Sequence, residues 1–132
     1  MGQYFHYVNF SLRQVFSAAA FDQNIKEGGV GVFLQGMALA LLLCEGCRRE
    51  HHLVGLWTGD DEIGVIGDDT QTDYDFDEFS DFENINDEVL EMIAVCRPDM
   101  LREWLAITDR TFFKERAKPN SALASLLAQV ES

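Results

Sequence analysis

The N-terminal part of the chain combines aromatic, β-branched and apolar runs that predict two strands and two helices. Residues 4–10 are aromatic and β-branched and predict an opening β-strand. Ser11 is a suitable N-cap for a short helix that ends near Phe21, and its apolar residues at helical spacing are Leu12, Val15, Phe16 and Ala19. Residues 30–34 predict a second strand or extended segment, and the apolar residues 37–44 predict a buried helix.

Two short runs rich in Val, Ile, Leu and Trp stand near the centre of the chain. The first is Leu53-Val-Gly-Leu-Trp57, and the second is Glu62-Ile-Gly-Val-Ile-Gly67-Asp68. A Gly/Asp cluster, Thr58-Gly-Asp-Asp61, joins them, and such a cluster between two apolar runs is typical of a β-hairpin. The pattern therefore predicts a central hairpin that contributes two strands to a sheet.

Helical patterns dominate the chain after residue 85. Asn86 is expected to cap a helix with Asp87 and Glu88 in its first turn, where carboxylates suit the helix dipole. Pro98 suits the first turn of the next helix, and Ser121 suits the start of a last one. The predicted buried stripes of these helices are Val89, Leu90, Ile93 and Ala94, then Leu101, Trp104 and Leu105, and finally Leu123, Leu126, Leu127 and Val130.

Together these patterns predict a single α+β domain over residues 1–132. A small antiparallel sheet, built from the N-terminal strand and the central hairpin, is expected to pack with several helices, and the C-terminal third is expected to be helical. A chain of 132 residues is long enough to bury a core. Its 47% hydrophobic content, with 10 Phe, argues against a disordered acidic protein.

The most distinctive feature of the sequence is a strongly acidic segment. Asp and Glu account for 14 of the residues between Asp60 and Glu91, and the 47 residues from Glu50 to Cys96 contain no Lys or Arg. The formal net charge of the chain is −13. Because nucleic acids and anionic membranes are polyanions, this charge disfavours direct binding to either and favours a basic protein surface as the partner.

The cysteines and the N-terminus indicate a cytoplasmic protein. Three cysteines (Cys44, Cys47 and Cys96) form an odd set, and no basic region of a signal peptide is present, which together predict a reducing compartment. The apolar run at residues 37–44 is too short to span a bilayer. A myristoylation signal fails because His6 stands where Ser or Thr is required.

Several short phrases follow one another along the chain: Met1-Gly-Gln-Tyr4 with Val8-Asn9, Leu41-Leu-Leu43, Trp57-x-Gly59-Asp60, Val65-Ile-Gly-Asp68 and Phe82-Glu-Asn-Ile-Asn-Asp-Glu-Val89. In this order they resemble a family of small bacterial and phage proteins that begin MGQYY and carry a WxGDRVxxxGDY hairpin. The resemblance covers residues 1–94, so residues 97–132 are predicted to be a helical C-terminal extension. It implies a shared fold and carries no established reaction.

This chain departs from the family pattern in the acidic direction. Asp61 and Glu62 stand where the pattern has Arg after its first Gly-Asp, and Asp69 stands where the pattern has Tyr after its second. The departures argue against any role that depends on that Arg, and they add to the acidity of the segment.

The acidic segment predicts a binding surface that mimics nucleic acid towards a basic protein. If residues 73–77 are extended, the three Asp residues lie on one face, about 6.5–7 Å apart, while Tyr74 and Phe76 lie on the other. The candidate partner-binding residues are Asp60, Asp61, Asp68, Asp69, Asp73, Asp75, Asp77, Glu78, Asp81 and Glu83. The simpler alternative is a solvated acidic loop that keeps the protein soluble.

A calcium site is an alternative use of the same carboxylates. The residues that match positions 1, 3, 5 and 9 of an EF-hand loop are Asp73, Asp75, Asp77 and Asp81. Glu78 stands where that loop needs Gly, and Asn84 stands where it needs a bidentate Glu. A divalent-cation site of another geometry therefore remains the alternative cofactor prediction.

A zinc site is a second alternative. Its potential ligands are Cys44, Cys47, His51 and His52. All four lie within nine residues, whereas a structural zinc site normally takes its second pair of ligands from a distant part of the chain.

No catalytic motif stands out. The sequence has no nucleophile elbow, P-loop, dinucleotide fingerprint or HExxH motif. Its abundant carboxylates and three histidines are not arranged in a recognisable acid/base pair. We therefore predict a non-enzymatic binding protein without a cofactor, and an enzyme with an unfamiliar site is the remaining alternative.

Overall fold

The computed structural model describes residues 5–21, 30–46, 48–59, 61–67 and 81–131. These residues form a four-stranded sheet, five α-helices and a short 3-10 helix at Ala18–Phe21. The strands are β1 (Phe5–Asn9), β2 (Gln14–Ser17), β3 (Ile63–Gly67) and β4 (Glu83–Asn84). The helices are α1 (Val30–Leu42), α2 (Asn86–Cys96), α3 (Pro98–Ile107), α4 (Thr111–Arg116) and α5 (Ala122–Glu131). The α+β class predicted from the sequence is confirmed.

The sheet is centred on β1 and β2 and has the strand order β3-β1-β2-β4. β1 pairs antiparallel with both β2 and β3, so that Tyr7 lies opposite Phe16 on one side and Val65 on the other. β4 pairs with β2 in parallel, with Gln14 opposite Glu83. The sheet is therefore mixed rather than antiparallel throughout, and β3 and β4 form its two edges.

The helix predicted from Ser11 to Phe21 is wrong, because this stretch forms a tight turn, β2 and a single 3-10 turn. The backbone N–H of Leu12 donates to the side-chain Oδ1 of Asn9 at 2.8 Å. Arg13 has a positive φ of 57°, which a turn accommodates and a right-handed helix does not. In so short a segment, the helical spacing of apolar residues was also compatible with a strand, and the turn chemistry of Asn9 decides between them.

α1 begins at Val30, so the extended segment predicted at residues 30–34 is wrong and the predicted helix is longer. Between residues 34 and 42, its buried residues recur at helical spacing and are Leu34, Gln35, Ala38, Leu41 and Leu42. The buried amide of Gln35 is satisfied in part because its Oε1 accepts a hydrogen bond from the Tyr7 hydroxyl at 3.1 Å. No helix in the described part of the chain, α1 included, is long and apolar enough to cross a membrane.

The central hairpin does not form, because the run Leu53–Trp57 is a series of turns and β3 pairs with β1 instead. The N–H of Gly55 donates to the carbonyl of Leu41 at 2.9 Å, and the N–H of Trp57 donates to that of Leu42 at 2.9 Å. These bonds satisfy carbonyls at the end of α1. Gly55 has a φ of 77°, which favours glycine. The apolar run is therefore a buried helix-capping loop and not a strand.

One contiguous apolar core lies between the sheet and the helices. The predicted buried residues of α2, α3 and α5 are confirmed, except that Val130 is only partly buried. Trp104 is buried with its indole N–H donating to the carbonyl of Phe21 at 2.8 Å. α4, which the sequence did not single out, contributes the fully buried Phe113. A smaller cluster packs around Val8 and Val15.

Candidate acidic binding surface

The structure describes only part of the predicted acidic surface. Among the candidate residues, Asp61 precedes β3, Asp81 precedes β4 and Glu83 lies in β4. The remaining candidates lie outside the described residues, and they are Asp60, Asp68, Asp69, Asp73, Asp75, Asp77 and Glu78. The structure therefore shows how the acidic residues on either side of positions 68–80 are held.

Asn9 fixes the point at which the acidic segment begins. Its side chain is fully buried, and its Nδ2 donates to Oδ2 of Asp61 at 2.8 Å. Because the Oδ1 of the same amide accepts the N–H of Leu12, one neutral side chain closes the β1–β2 turn and holds the first described carboxylate. Ser11 adds a second contact, since its hydroxyl accepts the N–H of Glu62 at 3.0 Å.

The same hairpin also holds the acidic residues next to and within β4, at the other edge of the sheet. Nε2 of Gln14 donates to Oε1 of Glu83 at 2.8 Å, while Oε1 of Gln14 accepts the indole N–H of Trp57 at 2.9 Å. Arg13 forms an ion pair with Asp81, and its guanidinium lies 4.7 Å from the centre of a neighbouring phenyl ring. The β1–β2 hairpin therefore contacts acidic residues on both sides of the segment.

Two asparagines make hydrogen bonds where β4 leads into α2. Asn84 accepts the backbone N–H of Asn86 with its Oδ1 at 2.9 Å, which helps to start the helix. The side chain of Asn86 does not cap the helix as predicted; its Oδ1 accepts the N–H of Ser17 at 3.0 Å. This bond continues the β2–β4 ladder past the end of β4. Asp87 and Glu88 follow in the first helical turn, where both are exposed.

Charge is unevenly divided along the chain. The stretch from Glu50 to Cys96 contains 15 of the 23 carboxylates and none of the 10 Lys and Arg residues, so it accounts for the net charge of −13. Within the described residues, two cations lie within 4 Å of its carboxylates: Arg13 pairs with Asp81, and Arg116 lies 3.9 Å from Asp87. Other C-terminal bases pair locally, as Lys114 does with Glu131 at 2.5 Å. Most of the described acidic charge is therefore uncompensated.

A cavity of about 340 Å³ lies beside the first turns of α2. His51 and His52 line one side, Glu88 and Glu91 line another, and the loop between α4 and α5 completes it. Glu91 is already engaged, because its two carboxylate oxygens accept N–H groups at the start of α5 at 2.9 and 3.2 Å. The spacing of the two histidines in the sequence does not predict this cavity, because packing between distant parts of the chain creates it.

The ring of His51 is hydrogen-bonded and stacked within this cavity. Its Nδ1 accepts the backbone N–H of Leu53 at 3.2 Å, and its ring stacks on that of His52 with centres 4.4 Å apart. Burial lowers the pKa of His51, and the charge of His52 lowers it further, whereas Glu91 and Glu88 oppose both effects to a smaller extent.

The predicted metal sites stay predictions, because Asp73, Asp75 and Asp77 lie outside the described residues. No group of three or more His, Cys, Asp or Glu side chains with metal-binding geometry occurs in the described part of the chain. Cys44 is disulfide-bonded, so its sulfur is not a free thiolate, and Cys47 lies outside the described residues. A disulfide is typical of an oxidising compartment, whereas the sequence predicted a reducing one. The cytoplasmic location therefore stays a prediction.

Comparisons with known proteins add no relative to this picture. No model of a protein family, no curated protein and no solved structure matched the chain. The resemblance carried by short phrases of the sequence therefore stays a prediction.

We expect the substitution Asn9→Asp to destabilise the protein mainly by electrostatic repulsion. It keeps the acceptor for Leu12 but places a second carboxylate against Asp61, which should lower the free energy of unfolding at neutral pH by about 2–3 kcal/mol. Protonation relieves the repulsion, so the deficit should shrink as the pH falls towards about 4. Urea unfolding at several pH values measures this.

The matched control for that experiment is Gln14→Glu, which puts a carboxylate on a half-buried residue against the exposed Glu83. Its cost should stay below about 1 kcal/mol because solvent screens exposed charges. A deficit of Asn9→Asp that does not depend on pH would contradict an electrostatic cause.

We expect His51 to titrate below its ordinary pKa and to make stability depend on pH. Because the pKa is lower in the folded protein, the stabilisation is fully present above the unfolded pKa of about 6.5 and is lost as the pH falls through the folded pKa. The variant His51→Asn keeps a hydrogen-bond acceptor but does not titrate, so its stability should fall less over the same range. NMR titration of the ring, with urea unfolding of both proteins, tests this; a pKa above 6.5 would contradict it.

Proposed function

We propose that the protein is a small, non-enzymatic binding protein that uses its acidic surface to dock a basic protein. The partner would itself be a nucleic-acid-binding or defence protein, whose basic groove the carboxylates occupy in the way that a phage-type mimic of nucleic acid does. The observation that supports this proposal is the concentration of the net charge in one stretch of chain, attached to a well-packed core.

The way in which the acidic residues are held also supports the proposal. Asn9 and Gln14 are neutral, so they fix Asp61 and Glu83 without cancelling their charge. Glu62 and Glu88 are exposed, and no ion pair involves either of them in the described part of the chain. Like charges at this density oppose folding, and a basic partner would relieve that repulsion while gaining faster association.

Binding of a divalent cation by the same carboxylates is the alternative use of this surface. The two uses separate in a thermal-shift experiment. A cation site predicts a rise in Tm with calcium that a chelator reverses, whereas a protein-binding surface predicts only the small response expected of any salt.

We expect reversal of three charges in the acidic segment to abolish partner binding. The variant Asp73→Lys/Asp75→Lys/Asp77→Lys should lose a prey that the tagged wild-type protein captures from nuclease-treated bacterial lysate, identified by mass spectrometry. Capture by the wild type should weaken as salt rises towards about 0.5 M, because screening removes the attraction, and duplex DNA or RNA should compete.

The matched control is the variant Glu45→Lys/Glu103→Lys/Glu115→Lys, which changes three exposed carboxylates outside the acidic stretch. Both triple variants have the same net charge, so a difference between them reports where the charge lies. The control should capture the same prey as the wild type. Retention of the prey by the variant of the acidic segment would show that the proposed surface is wrong.

A further inference from the structure

β3 is an edge strand whose outer side carries regularly spaced backbone groups. The hydrogen bond from the N–H of Phe10 to the carbonyl of Glu62, at 2.9 Å, fixes which residues of β3 face β1. Because bonded and non-bonded pairs alternate in an antiparallel ladder, Gly64 and Ile66 bond β1. The N–H and C=O groups of Ile63, Val65 and Gly67 therefore point away from the sheet, where no strand of the described residues pairs with them.

The composition of β3 favours pairing of this edge with another chain. The strand reads Ile-Gly-Val-Ile-Gly, and its two glycines have no side chain to keep a second backbone away. Val65, the middle residue of the strand, is 52% exposed although it is β-branched and apolar. Natural proteins usually protect such an edge with charges, because an open edge templates pairing with other chains.

The charges around β3 select which chain can pair with it. Asp61 and Glu62 precede the strand directly, and in the sequence two further carboxylates, Asp68 and Asp69, follow it directly. A second copy of this protein would bring the same carboxylates and be repelled, whereas an extended segment with Lys or Arg near its ends would be attracted.

We propose that the outer edge of β3 binds an extended, basic segment of the partner as an added strand. This inference rests on the proposed function and deepens it, because it names the structural element that docks. Backbone hydrogen bonds to Ile63, Val65 and Gly67 hold the added strand, and a cation near its end pairs with Asp61 or Glu62. A β-branched residue of the partner lies beside Val65, where cross-strand neighbours stabilise pairing.

The experiment uses a synthetic peptide of alternating Lys and Val with blocked ends and the full-length protein. The variant Val65→Pro removes an outward-facing N–H that β1 does not use, and Gly64 before it has no Cβ to clash with the proline ring. We expect it to weaken binding of the peptide by tenfold or more in titration calorimetry. The control Val65→Thr keeps the N–H and the β-branched shape and should bind as the wild type does.

A second measurement keeps the test decisive if the proline variant unfolds. The same peptide with a methyl group on every backbone nitrogen has the same charges but no backbone N–H on either edge, so it should bind the wild type at least tenfold more weakly. A matched peptide of Glu and Val should not bind.

The outcomes separate this inference from the proposed function. Equal binding of the methylated and unmethylated peptides, or equal binding by a folded Val65→Pro variant, would overturn strand addition and leave charge-driven binding in place. If the Lys-Val peptide does not bind the wild type even at low salt, strand addition is overturned; if the lysate experiment also yields no salt-sensitive prey, the acidic binding function is overturned with it.

Discussion

The β1–β2 hairpin holds the acid-rich part of the chain on both sides, and it does so largely with neutral amides. Asn9 donates to Asp61, Gln14 donates to Glu83, and Arg13 supplies the one full positive charge described at this hairpin. An amide satisfies the hydrogen-bonding capacity of a carboxylate but leaves its charge in place. A cation at each of these positions would have fixed the same geometry and neutralised the surface. The hairpin therefore positions acidic residues while preserving their field.

This arrangement requires the rest of the molecule to supply the stability. Repulsion among carboxylates opposes folding, and the apolar core opposes unfolding. Phe16 shows how the two are joined: it lies in β2, beside Gln14, and its ring packs against Tyr7 and Trp57 with centres 4.7 and 5.9 Å apart. Trp57 in turn donates to Gln14, and Gln14 donates to Glu83. The residue that anchors Glu83 is therefore itself bonded to a core residue. Loss of core packing would release the acidic residues as well.

The sequence predicted the secondary structure correctly where apolar residues recur at a regular helical spacing. The stripes of α3 and α5 recur at helical spacing over ten residues in each case, and both helices formed as predicted. The apolar residues within Leu12–Phe16 and the apolar run Leu53–Trp57 were too short to separate helix, strand and loop, and tertiary contacts decided both structures. Asn9 settled the first, and the carbonyls at the end of α1 settled the second. Neither of these contacts can be predicted from the local sequence pattern.

The candidate site was predicted by composition but not by geometry. Asp61, Asp81 and Glu83 were singled out because acidic residues are dense around them, yet their anchors lie 52, 68 and 69 residues away in sequence. Nothing in the spacing of Asn9 or Gln14 marks either as a partner of a carboxylate. The cavity at His51 is likewise assembled from three distant segments. Pairings at such separations become visible only when the sheet has formed.

The most direct test of an uncompensated acidic surface is the Tm of the protein at neutral pH as NaCl rises from about 10 mM to about 0.5 M. Screening weakens repulsion between like charges, so we expect Tm to rise by about 5 °C. The rise should be smaller in the variant Asp73→Lys/Asp75→Lys/Asp77→Lys. A Tm that falls with salt would contradict this view, because it would show that the carboxylates take part in net attractive ion pairs.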